Sequence, residues 1–522
     1  MDITLKKLPL GIQSFEKIRM EDFLYVDKTA SIHQLVNTGN YYFLSRPRRF
    51  GKSLLLSTLQ AYFEGKKNLF EGLAIAEKEN EWKQYPVLHL DLNTENYDRP
   101  EALLHKLDAA LSEWENIYGK NPVEQSVALR FEGIIRRASL KTGERVVILV
   151  DEYDKPLLQA IGDDGLQGAY RKMLKAFYGA LKSDDQYIRF AFLTGVTKFG
   201  KVSVFSDLNN LTDLSFDWRY YDICGITEEE LEQYFSSYIN QLALENKMSV
   251  VEAKEKLKQL YDGYHFTEES PGIYNPYSLL NTFSRIRFGS YWFETGTPSF
   301  LVDLLKKHDY NLEQMAHEQT TAEVLDSIDE VSSNPIPFIY QSGYLTIKGY
   351  DSRFKLYQLG FPNKEVEEGF VKYLMPCYTP FSEVEAPFQI AQFVKEVEAG
   401  ETDKFLKRLK SFFADTPYEL IKNLENHYQN VLFIISKLLG FYVQAEYHTS
   451  EGRIDMLLKT DRYVYIFEFK LDGSAEEALR QIENRNYANA FEQEHRQVVK
   501  VGLNFSNKTR NIERWIMESN EK

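Results

Sequence analysis

The sequence predicts an α/β protein of several domains: a parallel sheet at the N-terminal end, a mostly helical middle, and a second α/β domain at the C-terminal end. Three observations predict it. Apolar runs of strand length alternate with helical spacing up to about residue 225, as a parallel sheet with crossover helices requires. From Ile226 the pattern turns helical, opening on Thr227 and Glu230 at the spacing of a capping box. Beyond Gly440 short strands return, and three of their residues are Asp455, Glu468 and Lys470.

At 522 residues the chain is long enough for two to four domains, and the changes of pattern divide it at 1–225, 226–364 and 365–522. Only Cys224 and Cys377 are present, which leaves no framework of several disulfides and makes a reducing cytoplasm the expected compartment. The first residues, MDITLKKLPLGIQSF, lack the continuous apolar core of a signal peptide. The nearest approach to a membrane span, Val431 to Val443, is interrupted by Ser436 and Lys437, so no membrane partner is expected. A net charge of −15 argues against a protein coated in positive charge for non-specific nucleic-acid binding, while a local basic cleft stays compatible with it.

In the first domain the run Tyr42 to Leu44 ends in a basic turn, followed by Gly51, Lys52, Ser53 and the apolar pattern of a helix. A strand, loop and helix in that order surround phosphates with backbone N–H groups. Lys52 would reach the β and γ phosphates of a nucleotide and the Ser53 hydroxyl would ligate Mg²⁺. The full pattern, G-x-x-x-x-G-K-[ST], wants glycine where this chain has Arg46; the flanking strand and helix favour nucleotide binding over the alternative, an ordinary surface turn before a buried helix. Pro86 to Leu92 reads as the next strand, and Pro100 to Tyr118 and Glu124 to Ser139 have helical spacing.

Val146 to Val150 (VVILV) is then a strand that ends in Asp151 and Glu152. In combination with Lys52, Asp151 is placed to order the Mg²⁺ shell and Glu152 to polarise an attacking water. Ile188 to Leu193 makes a further strand, and Thr194 at its end either senses a γ-phosphate or caps the following turn. Asp154 and Arg219 are further candidates for the same site. The helices after Thr227, over Val251 to Tyr261 and over Asn275 to Phe283 form the middle region, expected as a lid. His265, in the turn around Gly263, reads as a packed or hydrogen-bonded residue.

In the C-terminal domain Glu425 to Leu439 is an amphipathic helix. Phe441 to Tyr447 follows as a strand, Glu451-Gly452 as a hairpin turn, and Arg453 to Leu458 pairs with Tyr463 to Lys470. Side chains two apart on a strand share a face, so Glu468 and Lys470 converge. Asp455 and Glu468 together suit a divalent ion at a phosphodiester, with Lys470 to orient its water. Gln481 and Tyr487 follow at distances that let them support the pair. The bland reading is an edge strand with alternating acids and lysines.

With both sets of residues in hand, the chain resembles the bacterial AAA-ATPase-like family that carries a C-terminal domain of the PD-(D/E)XK nuclease superfamily. RPRRFGKS at 46–53 is similar to that family's own phosphate loop, which makes Arg46 a family-type departure within the nucleotide site. VDEYD at 150–154, LTGV at 193–196, YDGYHF and YNPYSLL extend the resemblance. GRID at 452–455, EFK at 468–470 and ALRQIENRNY at 478–487 resemble the nuclease part, with Ile454 where a proline is usual.

The resemblance implies a P-loop ATPase-like sheet and a restriction-endonuclease-like domain. It implies ATP and Mg²⁺ as cofactors, Mn²⁺ as a substitute at the nuclease-like site, and a nucleic acid, DNA or RNA, as partner. The expected function is ATP binding or hydrolysis that gates Mg²⁺-dependent phosphodiester cleavage. The alternative is an ATP-responsive scaffold for a protein partner, with a nuclease fold that does not cut.

Overall fold

The computed structural model describes residues 5–199, 204, 210–293, 301, 304–305, 310–315, 318–326, 328, 334–382, 384–413, 424–440, 444–447, 454–491 and 495–519. The chain forms two compact units, Met1–Thr295 with Gln319–Glu365, and Gly296–Glu318 with Val366–Lys522.

The first unit is built on a parallel sheet of β1 (Tyr41–Ser45), β2 (Val87–Asp91), β3 (Val146–Asp151), β4 (Ile188–Gly195) and the short β5 (Thr212–Asp213). Their order across the sheet is β2-β3-β4-β1-β5. All six residues of β3 are buried. Its VVILV run is therefore continuous rather than alternating, because both faces of a parallel sheet are covered. The Lys52–Phe63 helix packs on β2, β3 and β4 and buries Leu55, Leu56 and Leu59. Arg46 closes β1 with its side chain turned inward. The guanidinium stacks 3.9 Å from the Phe266 ring and donates to the carbonyls of Ser45, Ser215 and Tyr220.

Three helices, Glu228–Glu245, Val250–Tyr261 and Pro276–Arg285, pack in the same unit around Phe235, Leu242, Leu257, Tyr274 and Phe283. Both halves of the capping box at Thr227 and Glu230 are formed. His265 is held through Nδ1, 2.7 Å from the Ser270 carbonyl. A small antiparallel sheet of β6 (Gln319–Thr320), β7 (Thr346–Asp351) and β8 (Leu356–Gly360), in the order β6-β8-β7, completes the unit.

The second unit carries a mixed sheet of β9 (Gln444–Tyr447), β10 (Met456–Lys459), β11 (Tyr463–Leu471), β12 (Gln497–Ser506) and β13 (Asn511–Ser519). The order is β13-β12-β11-β10-β9, with β11 and β12 parallel and the other neighbours antiparallel. A parallel pair needs a crossover, and the Ala475–Asn484 helix lies in that connection. The helix packs on β11 and β12 so closely that a Cβ at Gly502 would come within 2.7 Å of the Leu479 amide nitrogen. The Leu424–Leu439 helix supplies a largely buried second layer. The expected Glu451-Gly452 turn, Arg453 and the first residues of the Phe441 to Tyr447 strand lie outside the described residues.

Candidate functional site

Strand register brings the first group of residues together. Val150 pairs with Leu193 and Leu44 with Thr194, so β1, β3 and β4 end nearly level. Ligands of open α/β sheets lie at these carboxyl ends. After β1 the chain turns through Arg49 (φ +68) and Gly51 (φ +98), both in left-handed backbone. Gly51 adopts this without a Cβ penalty and serves as N-cap of the Lys52–Phe63 helix. The first N–H groups of that helix have no intrahelical acceptor and are free for an anion.

Lys52 is only 3% exposed, and its Nζ donates to the carbonyls of Arg46 (3.1 Å) and Pro47 (3.3 Å). Glu152 Oε1 lies 3.5 Å away. Glu152 itself takes a left-handed φ of +52, which costs a non-glycine residue roughly 1–2 kcal/mol. Thr194 Oγ1 donates to Asp151 Oδ1 at 2.7 Å, and both residues are buried. The fully buried Asp154 accepts from the Val196 and Thr197 amides and from Thr197 Oγ1, tying down the segment after β4. Burial, and next the charge of Glu152, push its carboxyl above the usual range.

Ser53 is half-buried on the first turn of the helix. The oxygens of Ser53, Asp151 and Thr194 are hard donors, the kind Mg²⁺ takes beside a nucleotide, so the residues present fit that ion. Arg46 is spent on backbone carbonyls, and Arg219 is exposed and pairs with Asp217 at 2.6 Å. Beside Gly51 opens an apolar cavity of about 100 Å³, walled by Tyr25, Val26, Phe50, Leu54, Ile223 and Cys224. Sequence spacing gives no sign of these residues as a group.

In the second unit Met456 pairs with Phe467, which sets Asp455 beside Glu468 at the end of the hairpin. The Phe469 amide donates to Asp455 Oδ2 at 2.8 Å. The Ala475–Asn484 helix begins with a capping box between Ser474 and Glu477 and aims Gln481 at β11. Gln481 joins the other two residues: Lys470 Nζ donates to its Oε1 at 2.5 Å, and its Nε2 donates to Glu468 Oε1. Lys470 Nζ also lies 3.7 Å from Glu468 Oε1.

Glu468 is 1% exposed, and its Oε2 is buried without a hydrogen-bond partner. An unsatisfied buried oxygen costs about 1–3 kcal/mol, so a native chain that keeps one calls for an explanation. Burial, then the charge of Asp455, push the Glu468 carboxyl up to about 8. Burial raises Asp455 to about 6. Two adjacent carboxyls that both favour the proton, one with an orphaned oxygen, fit a divalent cation. Tyr487 stands near the pair, its hydroxyl pushed up by burial and then by the charge of Glu468.

Residues 9–205 match the family described as Predicted AAA-ATPase, and residues 423–515 match the PD-(D/E)XK nuclease superfamily. The chain belongs to the family of predicted AAA-ATPases that carry a C-terminal PD-(D/E)XK nuclease superfamily domain. It is similar along its whole length to the "Uncharacterized protein in vnfD 5'region" of Azotobacter chroococcum mcd 1. The two are 36% identical over 525 residues, covering 98% of this chain and 99% of the relative. Among the described residues no helix is long and apolar enough to cross a membrane.

Proposed function

We propose that the first unit binds and hydrolyses ATP, and that the second cuts phosphodiester bonds in nucleic acid under control of the nucleotide. Glu468 carries this reading: its buried oxygen has no partner, while Gln481 holds its other oxygen in register with Lys470. A divalent ion held by Asp455 and Glu468, Mg²⁺ or Mn²⁺, would supply charge neutralisation and a more acidic water. Lys470, oriented by Gln481, would then steer that water toward the phosphorus and stabilise the charge that develops.

At the other site Lys52 would exchange its carbonyl partners for the β and γ phosphates. Ser53 and Asp151 would hold the Mg²⁺ that accompanies the nucleotide, and Glu152 would orient the attacking water. Thr194, bonded to Asp151, would sense the γ-phosphate, and Arg46 would brace the loop from behind through the carbonyls it binds. The cavity beside Gly51 suits a base. Its lining has no carboxylate to accept the N–H groups of guanine, and Lys28 is already paired with Glu230 at 2.5 Å, which favours adenine.

The test offers full-length protein linear duplex DNA, single-stranded DNA and structured RNA, with Mg²⁺ or Mn²⁺ and with ATP varied independently. Cutting by the wild type that disappears in Glu468→Ala supports the proposal. No cutting of any substrate moves the second unit to the role of a non-cleaving, ATP-responsive scaffold.

A further inference from the structure

The loop between β1 and the Lys52–Phe63 helix is held by residues far beyond the family-matched stretch that contains it. Trp292 Nε1 donates to the Arg48 carbonyl at 2.9 Å, across 244 residues. The next residue, Arg49, stands in left-handed backbone (φ +68), which a non-glycine residue enters only at a cost. Its guanidinium lies 5.0 Å from the centre of the Tyr277 ring. Further along the loop the Gly225 amide donates to the Phe50 carbonyl at 3.1 Å. All of these residues belong to the first unit.

The two aromatic groups share one support, Glu365, which is 2% exposed. Tyr277 is followed on the Pro276–Arg285 helix by Ser278, whose hydroxyl donates to Glu365 Oε2 at 2.7 Å. Trp292 donates its amide to Glu365 Oε1 at 2.8 Å, and the Tyr291 amide donates to the same oxygen. Both oxygens accept, as an ionised carboxylate does, and the bonds compensate its burial. A buried indole N–H finds some acceptor in any core. Trp292 differs because Glu365 fixes its backbone, and because the acceptor lies in a loop that turns through left-handed Arg49 and Gly51.

In a trans peptide the C=O and the N–H point in opposite directions. An indole that draws the Arg48 carbonyl to itself therefore turns the Arg49 N–H the other way, and the Gly225 amide does the same for the Gly51 N–H. We infer that Trp292 and Tyr277 are positioning residues of the nucleotide site, which fix the peptide between Arg48 and Arg49 so that its N–H meets a phosphate oxygen of bound ATP. The inference rests on the proposal that this loop binds ATP, and it extends the site to residues of the middle region. The left-handed turn is set before the ligand arrives, so the grip acts on affinity rather than on the chemical step.

Calorimetric titration of the full-length protein with ATP, and phosphate release over a range of ATP concentrations, test this. Trp292→Phe keeps an aromatic ring and removes the N–H donor. It should bind ATP about three- to tenfold more weakly, the worth of one hydrogen bond, and raise KM by the same factor with kcat unchanged. Tyr277→Leu, which removes the ring beside Arg49, should weaken ATP binding as well. The nucleotide-free melting midpoint of Trp292→Phe should match that of the wild type. Wild-type ATP affinity in either variant, alongside weakened binding in Lys52→Ala, overturns this inference and leaves the nucleotide site standing. A nucleotide-free midpoint that falls with affinity, or a kcat that falls while KM holds, denies Trp292 the positioning role and overturns it too. A wild type that binds no ATP removes the nucleotide site and this inference together.

Discussion

Lys52 Nζ lies 3.5 Å from Glu152 Oε1, with the two side chains 3% and 20% exposed. Out of bulk water such a pair is not screened as a surface pair would be. Phosphates arriving at Lys52 would compete with Glu152, and a lysine drawn toward phosphate would leave the glutamate free for water. Lys52→Ala should therefore weaken ATP binding at least tenfold in a calorimetric titration. Glu152→Gln should bind ATP as the wild type does, while phosphate release slows about 10²–10⁴-fold, the range of a lost general base.

The acids of the second unit set a pH dependence. The folded values, about 6 for Asp455 and about 8 for Glu468, lie above the ordinary 3.8 and 4.5. The folded protein thus binds these protons more tightly than the unfolded chain does. The stability they contribute is full below the unfolded values and is lost as pH rises through the folded ones. In scanning calorimetry without metal, the transition of this unit should fall as pH rises from about 5 to about 9. Glu468→Gln should remove most of that fall. Mn²⁺ should stabilise more at the upper end, because fewer protons then have to be displaced.

Gln481 makes a separate prediction, because it orients the other groups. Gln481→Ala leaves Lys470 Nζ and Glu468 Oε1 without their shared partner. Metal-dependent cutting should drop about 10–100-fold, whereas Glu468→Ala and Lys470→Ala should abolish it, with circular dichroism unchanged in all three.

Asp154 is a stability prediction. Its carboxylate accepts from two amides and a hydroxyl of the segment after β4, all buried. Asp154→Ala orphans those donors at about 1–3 kcal/mol each, enough to lower the thermal midpoint of the first unit by several degrees in a melting experiment.

What was legible in the sequence was short in range. The VVILV run marked a buried parallel strand, Gly51-Lys52-Ser53 marked a helix start, and Thr227 with Glu230 marked the next helix, each from neighbouring residues alone. Glu468 and Lys470 could be placed on one face because a strand alternates. What could not be read depends on contacts far along the chain. The inward turn of Arg46 needs Phe266 and the Tyr220 carbonyl, the latter 174 residues away. The cavity beside Gly51 draws its walls from Pro9 to Leu280. The hydrogen bond from Thr194 to Asp151 spans 43 residues, a separation that no local pattern encodes. The left-handed backbone of Glu152 has no signal in a residue type that normally avoids it.

Gly502 stands opposite Glu468 in the β11–β12 register and has no side chain to offer the acids, yet the distance from β12 to the crossover helix depends on it. A methyl group there would press on the backbone of Ala475 and Leu479 and lift the helix that carries Gln481. In an exhaustive mutational survey this glycine should therefore score as intolerant as Glu468 or Lys470. A ranking by tolerance alone would count it among the chemical groups, and only a measurement that separates folding from turnover would tell the hinge pin from the blade.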